Sequence, residues 1–287
     1  MNGYLSYLSA ANYWGVPHIE TVIGRKITES DVEEITVSDY NNRFHTKGKK
    51  VYACKVSLPT NAVLSQDGLK VASPELLFLE FARKLNIHRL ILLGLQLCAH
   101  KPGQPSDAIT TKQKLEIFLA KTSGHWGHQN AMRAVKYVEN GSASIMESIA
   151  YMILTLPHAL GGYGLDGAVF NHEIRLLSDA KARLEQERCF IDLYYKHKKV
   201  GVEYESYAYH SKPSEIGKDA VRSAILQRKG ICMLHLNTIQ LYDKDACRDF
   251  AYNLASRLGK RISIRTEKFE EMHAHLRELL PDRKTDI

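Results

Sequence analysis

Two neighbouring apolar segments in the second half of the chain carry acidic residues at positions from which burial would normally exclude them. The first spans residues 189–195 and contains Asp192, and the second spans residues 200–206 and contains Glu203 and Glu205. A short polar break separates the segments, which predicts an antiparallel hairpin of two β-strands. Such pairing brings Asp192 beside Glu203, and the spacing of two residues places Glu203 and Glu205 on one strand face.

These three carboxylates have two interpretations. Clustered like charges are unfavourable unless a cation neutralises them, because each carboxylate raises the pKa of its neighbours. Carboxylate oxygens bind Mg²⁺ or Mn²⁺, and a metal held in this way can drive hydrolysis of a phosphodiester. The alternation of apolar and polar residues over 200–205 equally describes an amphipathic strand whose acids face water. The hairpin residues alone leave both interpretations open.

Two further residues could complete a metal site. Glu147 lies in the first turn of a helix predicted over residues 144–156, where it either reaches the strand carboxylates or only opposes the helix dipole. His210 follows the second acidic strand and could act as a general base, a leaving-group acid or a phosphate ligand. An ordinary loop histidine is the alternative for His210.

Basic residues on a later helix are candidates for binding nucleic acid. Lys218, Arg222 and Arg228 lie on a helix predicted over residues 215–229 and could contact phosphates. Asp219 is three residues before Arg222, so a helical ion pair is the alternative for that arginine. A net charge of +7 favours an anionic partner without identifying it.

The clearest linker is the Lys-Pro-Gly-Gln-Pro-Ser-Asp stretch at residues 101–107. We therefore predict an N-terminal mixed α/β module over residues 1–105, a helical connector over 106–141 and a second domain over 142–287. From residue 178 onward the predicted order is helix, strand, strand, helix, strand, helix, which is typical of an α/β fold.

Several classes of protein are disfavoured by what the sequence lacks. The longest apolar stretch, residues 90–95, is too short to span a bilayer, and no secretory signal is visible. The five cysteines are scattered without CxxC spacing, so we expect reduced thiols in a cytoplasmic protein with no membrane partner. GxSxG, Walker A, HExxH and GxGxxG motifs are all absent from the sequence.

An ordered set of short motifs runs through residues 142–259. It comprises Glu147, Asp192-Leu193, Val202-Glu203-Tyr204-Glu205, His210, a helix with Asp219, Arg222 and Leu226, and Gly230 before the apolar residues 231–236. In this order the motifs resemble the PD-(D/E)XK nuclease superfamily, and within it the bacterial domain-of-unknown-function group allied to the very-short-patch mismatch repair endonuclease. The resemblance implies a restriction-endonuclease-like fold, with a mixed central sheet flanked by helices, and Mg²⁺-dependent (or Mn²⁺-dependent) cleavage of DNA.

The same resemblance implies roles for the acidic residues. Asp192 and Glu203 would bind the metal directly, Glu147 would complete the metal shell with help from Glu205, and His210 would move a proton or orient the attacking water. One position departs from the pattern, because Glu205 stands where the superfamily usually has a lysine. The very-short-patch branch also lacks that lysine, which leaves Lys218 or His210 as its candidate substitute.

The missing lysine keeps a second class of function open. A nuclease fold without its chemistry would be a DNA-binding regulator or an antitoxin-like protein, and a ribonuclease would use the same residues as a DNA endonuclease. Residues 71–77 resemble the region upstream of such nuclease domains in proteins akin to abortive-infection antitoxin regulators. This implies that the N-terminal module recognises DNA, a partner protein or a second copy of the chain, in a setting of bacterial defence or mobile elements.

Overall fold

The computed structural model describes the chain in five segments, residues 3–44, 46–66, 68–175, 188–205 and 213–282, with only the backbone described for 213–220. The chain divides into two compact units. One consists of Met1–Ala99 and Asp107–Asn140, and the other of His100–Ser106 and Gly141–Ile287. Each unit combines helices with a mixed sheet, which confirms the predicted α/β class. Within the described segments, every helix is too short or too polar to cross a membrane.

The first unit is built on a five-stranded mixed sheet. Its described strands are β1 (Gly3–Leu5), β2 (Glu33–Val37), β3 (Lys49–Ala53), β4 (Val63–Gln66) and β5 (Leu69–Ala72). Its described helices are α1 (Tyr7–Tyr13), α2 (Ile19–Ile23), α3 (Pro74–Phe81), α4 (Ile87–Leu97), α5 (Lys112–Leu119) and α6 (His128–Val135). The strand order is β3-β2-β1-β5-β4, in which β2–β3 and β1–β5 are the parallel pairs.

The helices α3 and α4 form the apolar centre of this unit. α3 begins as its sequence predicts, because the Ser73 side chain accepts a hydrogen bond from the N–H of Leu76 and Pro74 occupies the first helical turn. Residues 106–141, predicted as a separate connector, supply α5 and α6, which pack against α3 and α4. Their buried apolar side chains, such as Leu115 and Leu119, explain why this segment folds into the first unit.

The second unit is built on a four-stranded sheet. Its described strands are β6 (Val169–Arg175), β7 (Arg188–Tyr195), β8 (Val200–Glu205) and β9 (Cys232–Asn237). Its described helices are α7 (Ile145–Thr155), α8 (Pro213–Arg228), α9 (Thr238–Tyr242), α10 (Lys244–Leu258) and α11 (Phe269–Arg277). The strand order is β6-β7-β8-β9, with β8–β9 parallel and the other two pairs antiparallel. The predicted hairpin is therefore confirmed as β7 and β8, whereas the helix predicted over residues 178–187 lies outside the described residues.

The helix α7 is the buried support of this sheet. All of its residues are buried, and it packs on β7 and β8. The helix begins at Ser144, whose side chain accepts a hydrogen bond from the N–H of Glu147 at 3.0 Å. This cap fixes Glu147 in the first turn and on the side of the unit where the acidic hairpin lies.

Candidate functional site

The pairing of β7 with β8 ends just before their acidic residues. The last regular pair is Leu193 with Val202, and the register would next place Asp192 opposite Glu203. Instead, Oδ2 of Asp192 accepts a hydrogen bond from the backbone N–H of Tyr204 at 2.9 Å. A side-chain carboxylate thus accepts the hydrogen bond that a backbone carbonyl accepts in a regular ladder, and the backbone pairing of β7 with β8 stops at Asp192.

The pairing of β6 with β7 is also irregular at this level. Its register places Asn171 opposite Asp192. Asn171 has a φ of 43°, in the left-handed region that asparagine tolerates better than most residues. Its Nδ2 atom donates hydrogen bonds to the Gly141 carbonyl and to Oε2 of Glu147, both at 2.9 Å. The irregular strand therefore holds the Glu147 carboxylate on the side of the sheet that carries Asp192.

Glu147 is buried and Asp192 is half-buried, and their carboxyl groups interact as a pair. Burial and then the negative charge of Asp192 raise the pKa of Glu147 to about 7, although hydrogen bonds to its carboxylate oppose the rise. Burial also raises the pKa of Asp192, against the Tyr204 N–H group and the positive charge of Arg222, which lower it. Two such groups cannot both ionise without repulsion, so a proton or a bound cation stabilises the pair near neutral pH.

Glu203 is held by an arginine instead. Its Oε1 atom accepts a hydrogen bond from Nη2 of Arg222 on α8. The same nitrogen donates to the carbonyl of Phe190 at 2.9 Å, within the opened end of β7. Nε of Arg222 is buried and has no hydrogen-bond partner among the residues that the structure describes. Arg222 therefore neutralises Glu203 through one side of its guanidinium group.

The other predicted site residues are placed outside this cluster or are not described. Glu205 is exposed, and its Oε1 atom lies 2.7 Å from Nδ1 of His235 on β9, so its position fits the solvated strand face. Arg228 is exposed in the last turn of α8. His210 lies outside the described residues, and Lys218 lies in the part of α8 whose side chains are not described.

The carboxyl pair offers a partial set of metal ligands. No group of three or more His, Cys, Asp and Glu side chains that could hold a metal occurs within the described segments of the chain. The hydrogen bonds to the pair reach Oε2 of Glu147 and Oδ2 of Asp192, so Oε1 and Oδ1 are the candidate ligand atoms. Mg²⁺ commonly binds through one or two carboxylates and fills its remaining positions with water and phosphate oxygens. Two neighbouring carboxyl groups with raised pKa values therefore fit such an ion.

Asn171 is the residue of this cluster that the sequence did not reveal. Its segment, Val-Phe-Asn-His-Glu-Ile-Arg over Val169–Arg175, alternates only weakly, and asparagine is depleted in strands. The contact with Glu147 joins residues 24 positions apart, so no short sequence motif predicts it.

Comparisons of the chain with models of protein families, with curated proteins and with solved structures find no match. A hypothesis about its function therefore rests on its own residues. The carboxyl pair, the arginine-bound Glu203 and the opened hairpin are the features from which that hypothesis starts.

Proposed function

We propose that the second unit is a metal-dependent endonuclease that hydrolyses phosphodiester bonds in DNA. The observation that carries this proposal is the pair of the buried Glu147 and the half-buried Asp192 at the level where both pairings of β7 become irregular. A divalent cation would offset the burial that raises the pKa of both groups and the negative charge of Asp192 that adds to the rise for Glu147. The order of a glutamate-bearing helix, an antiparallel acidic hairpin and a parallel last strand also suits the restriction-endonuclease-like fold that the motifs imply.

The residues of the site have distinct tasks in this proposal. A bound Mg²⁺ or Mn²⁺ would supply a Lewis acid for the scissile phosphate and a lowered pKa for the attacking water. The Tyr204 N–H group orients Asp192, and Asn171 with the N–H of Ala143 orients Glu147. His210 is the candidate for orienting the attacking water or moving its proton.

Arg222 has a conditional task. It now bonds to Glu203, and its planar guanidinium group could instead donate a pair of hydrogen bonds to phosphate oxygens. When Arg222 turns to a bound phosphate, Glu203 becomes free to join the other two carboxylates. Glu203 is thus a ligand of the substrate-bound state in this proposal.

The bond between Arg222 and Glu203 also favours a second candidate function. A guanidinium group beside Glu203, with its charge acting on Asp192, can neutralise the acidic cluster without any metal. A nuclease fold stabilised in this way would be a DNA-binding regulator or antitoxin-like protein. It would bind DNA in a salt-dependent manner and cleave nothing.

The experiment that separates the two functions is a cleavage assay on plasmid and oligonucleotide DNA, with RNA in parallel, in Mg²⁺, Mn²⁺ or EDTA. We expect metal-dependent cleavage that falls on the order of 100-fold or more in Asp192→Asn, because a direct ligand is lost. Asp245→Asn is the matched control, since Asp245 is exposed and forms an ion pair with Arg248, three residues further along the same helix. That variant should keep full activity.

Two results would contradict the proposal that the second unit is a nuclease. Full activity in Asp192→Asn would remove this carboxylate from the reaction. Salt-sensitive binding of DNA, with no cleavage of DNA or RNA in either metal, would establish the regulator in its place.

A further inference from the structure

The first unit contains a cavity of about 270 Å³ between its sheet and α3. Most of its lining is apolar, and its aromatic residues are Tyr4, Tyr7, Tyr40, Tyr52 and Trp126. Ligand cavities in proteins begin at roughly 300 Å³ and combine apolar walls with a few placed polar groups. At about 270 Å³ this cavity lies just below that range, so it suits a fragment of one or two rings and no larger ligand.

One polar group that lines the cavity is the carboxyl group of Glu80. Its Oε1 atom accepts a hydrogen bond from the Tyr4 hydroxyl at 3.1 Å, and its Oε2 atom accepts one from the N–H of Tyr7 at 3.2 Å. Burial raises the pKa of Glu80 to about 8, so that the group is mostly protonated at neutral pH. A protonated carboxyl presents a donor and an acceptor side by side, which matches the edge of a heterocyclic base.

The mouth of the cavity is lined by exposed aromatic rings and cations. Tyr40 is 43% exposed and Trp126 is 59% exposed, although both are large aromatic residues. Each carries a cation on its ring, with Nζ of Lys55 5.1 Å from the Tyr40 centroid and the Arg83 guanidinium 4.1 Å from the Trp126 centroid. Lys55 also lies 3.5 Å from a carboxylate oxygen of the exposed Asp39. The mouth thus offers aromatic faces and positive charge together.

These two ends select one kind of ligand. Aromatic walls favour a planar ring, the uncharged Glu80 favours a neutral polar edge on that ring, and the cations at the mouth favour an anionic group attached to it. Proteins bind unpaired nucleotides through this combination of stacking, edge contacts and phosphate-binding cations.

We propose that this cavity binds one nucleotide unit, with its base between the tyrosines and against Glu80 and its phosphate at Lys55 and Arg83. The unit is either a free mononucleotide or an unpaired nucleotide of a single strand, since both present the same chemistry. The site belongs to the first unit alone, and it does not depend on the nuclease proposed for the second.

The test is calorimetric titration of the full chain with mononucleotides of the four bases, the matching nucleosides, inorganic phosphate and a short single-stranded oligonucleotide. We expect saturable binding of nucleotides, with nucleosides about tenfold weaker because the charge-assisted contacts are lost. Lys55→Ala and Arg83→Ala should each weaken nucleotide binding about fivefold. Lys121→Ala is the matched control, because Lys121 is exposed and lies outside the cavity lining.

Three results would overturn the proposal: no saturable binding below about 5 mM nucleotide, equal affinity in wild type, Lys55→Ala and Arg83→Ala, or phosphate binding as tightly as nucleotides. If the oligonucleotide binds more tightly than any mononucleotide, the natural source is a strand, and the reverse identifies a free nucleotide. Asp192→Asn should bind nucleotides as the wild type does, so a failure of the nuclease proposal remains separate from a failure of this one.

Discussion

Each unit buries a glutamate with a raised pKa, but the two glutamates have different neighbours. Glu80 in the first unit accepts hydrogen bonds from neutral donors, the Tyr4 hydroxyl, the Thr36 hydroxyl and the Tyr7 N–H group, and the positive charge of Lys84 only partly offsets the effect of its burial. Glu147 in the second unit faces another carboxyl group, that of Asp192. A solitary buried acid becomes uncharged by binding one proton, whereas a pair gains more from a cation that neutralises both members. Burial of a glutamate therefore favours an uncharged ligand in the first unit and a cation in the second, as the two proposals require.

The raised pKa values of Glu80 and Glu147 determine how the stability of the protein depends on pH. A glutamate with a raised folded-state pKa keeps its proton after the unfolded chain has lost its own near pH 4.5. The folded state then binds more protons than the unfolded state, and the free energy of unfolding decreases as the pH rises. For Glu80 this loss extends from about pH 4.5 to about pH 8, and for Glu147 it ends near pH 7.

The largest expected effect is that of Glu80→Gln on stability. The variant removes a group that resists ionisation, so its free energy of unfolding should exceed that of the wild type by about 3 kcal/mol at pH 8. Near pH 5 the difference should be much smaller. The amide can keep the native contacts, because its oxygen can accept from the Tyr7 N–H while its NH₂ donates to the Tyr4 or Thr36 hydroxyl.

Urea unfolding at the two pH values measures this difference. Glu116→Gln, at an exposed position of α5, is the matched control and should change little at either pH. A Glu80→Gln effect that is the same at pH 5 and pH 8 would contradict a raised pKa for Glu80.

A smaller effect is expected when Mg²⁺ is added. Binding to the folded state alone should raise the free energy of unfolding by about 1.5 kcal/mol at ten times the dissociation constant. Asp192→Asn should abolish this increase because it removes one of the paired ligands, whereas Glu80→Gln should preserve it. Thermal unfolding with and without Mg²⁺ gives the measurement, and equal stabilisation of wild type and Asp192→Asn would place the ion elsewhere.

The smallest effect is expected for Glu205→Gln. Glu205 is exposed and contacts His235 at the surface, so the loss of its charge should change stability by less than about 0.5 kcal/mol. Cleavage should change by less than about threefold. A loss of activity as large as that of Asp192→Asn would instead support the catalytic role that the family resemblance implies for Glu205.

Much of the local structure could be predicted because its causes are local. Ser73 with Pro74 specifies the start of α3, and Ser144 specifies the start of α7 three residues before Glu147. The acidic hairpin followed from two apolar segments separated by a short polar break. Each of these signals acts over a few residues of the chain.

The partners of the charged residues could not be predicted in the same way. Arg222 bonds to Glu203, 19 positions away, where the sequence offered a phosphate or the nearby Asp219. Glu80 stands in the otherwise apolar helix α3, and its partners Tyr4 and Tyr7 precede it by 76 and 73 positions. Such contacts depend on how distant elements pack, and a pattern along the chain does not record them.

The hydrogen bond between Asp192 and the Tyr204 amide has a spectroscopic consequence. An ionised carboxylate accepts a stronger hydrogen bond than a protonated one, so the amide resonance of Tyr204 should follow the charge on Asp192. Solvent exchange of that amide proton should slow when the carboxylate is ionised and quicken when it is neutral. The opened end of the hairpin thus converts the charge of one side chain into a change in backbone order, which an NMR spectrum can record without substrate.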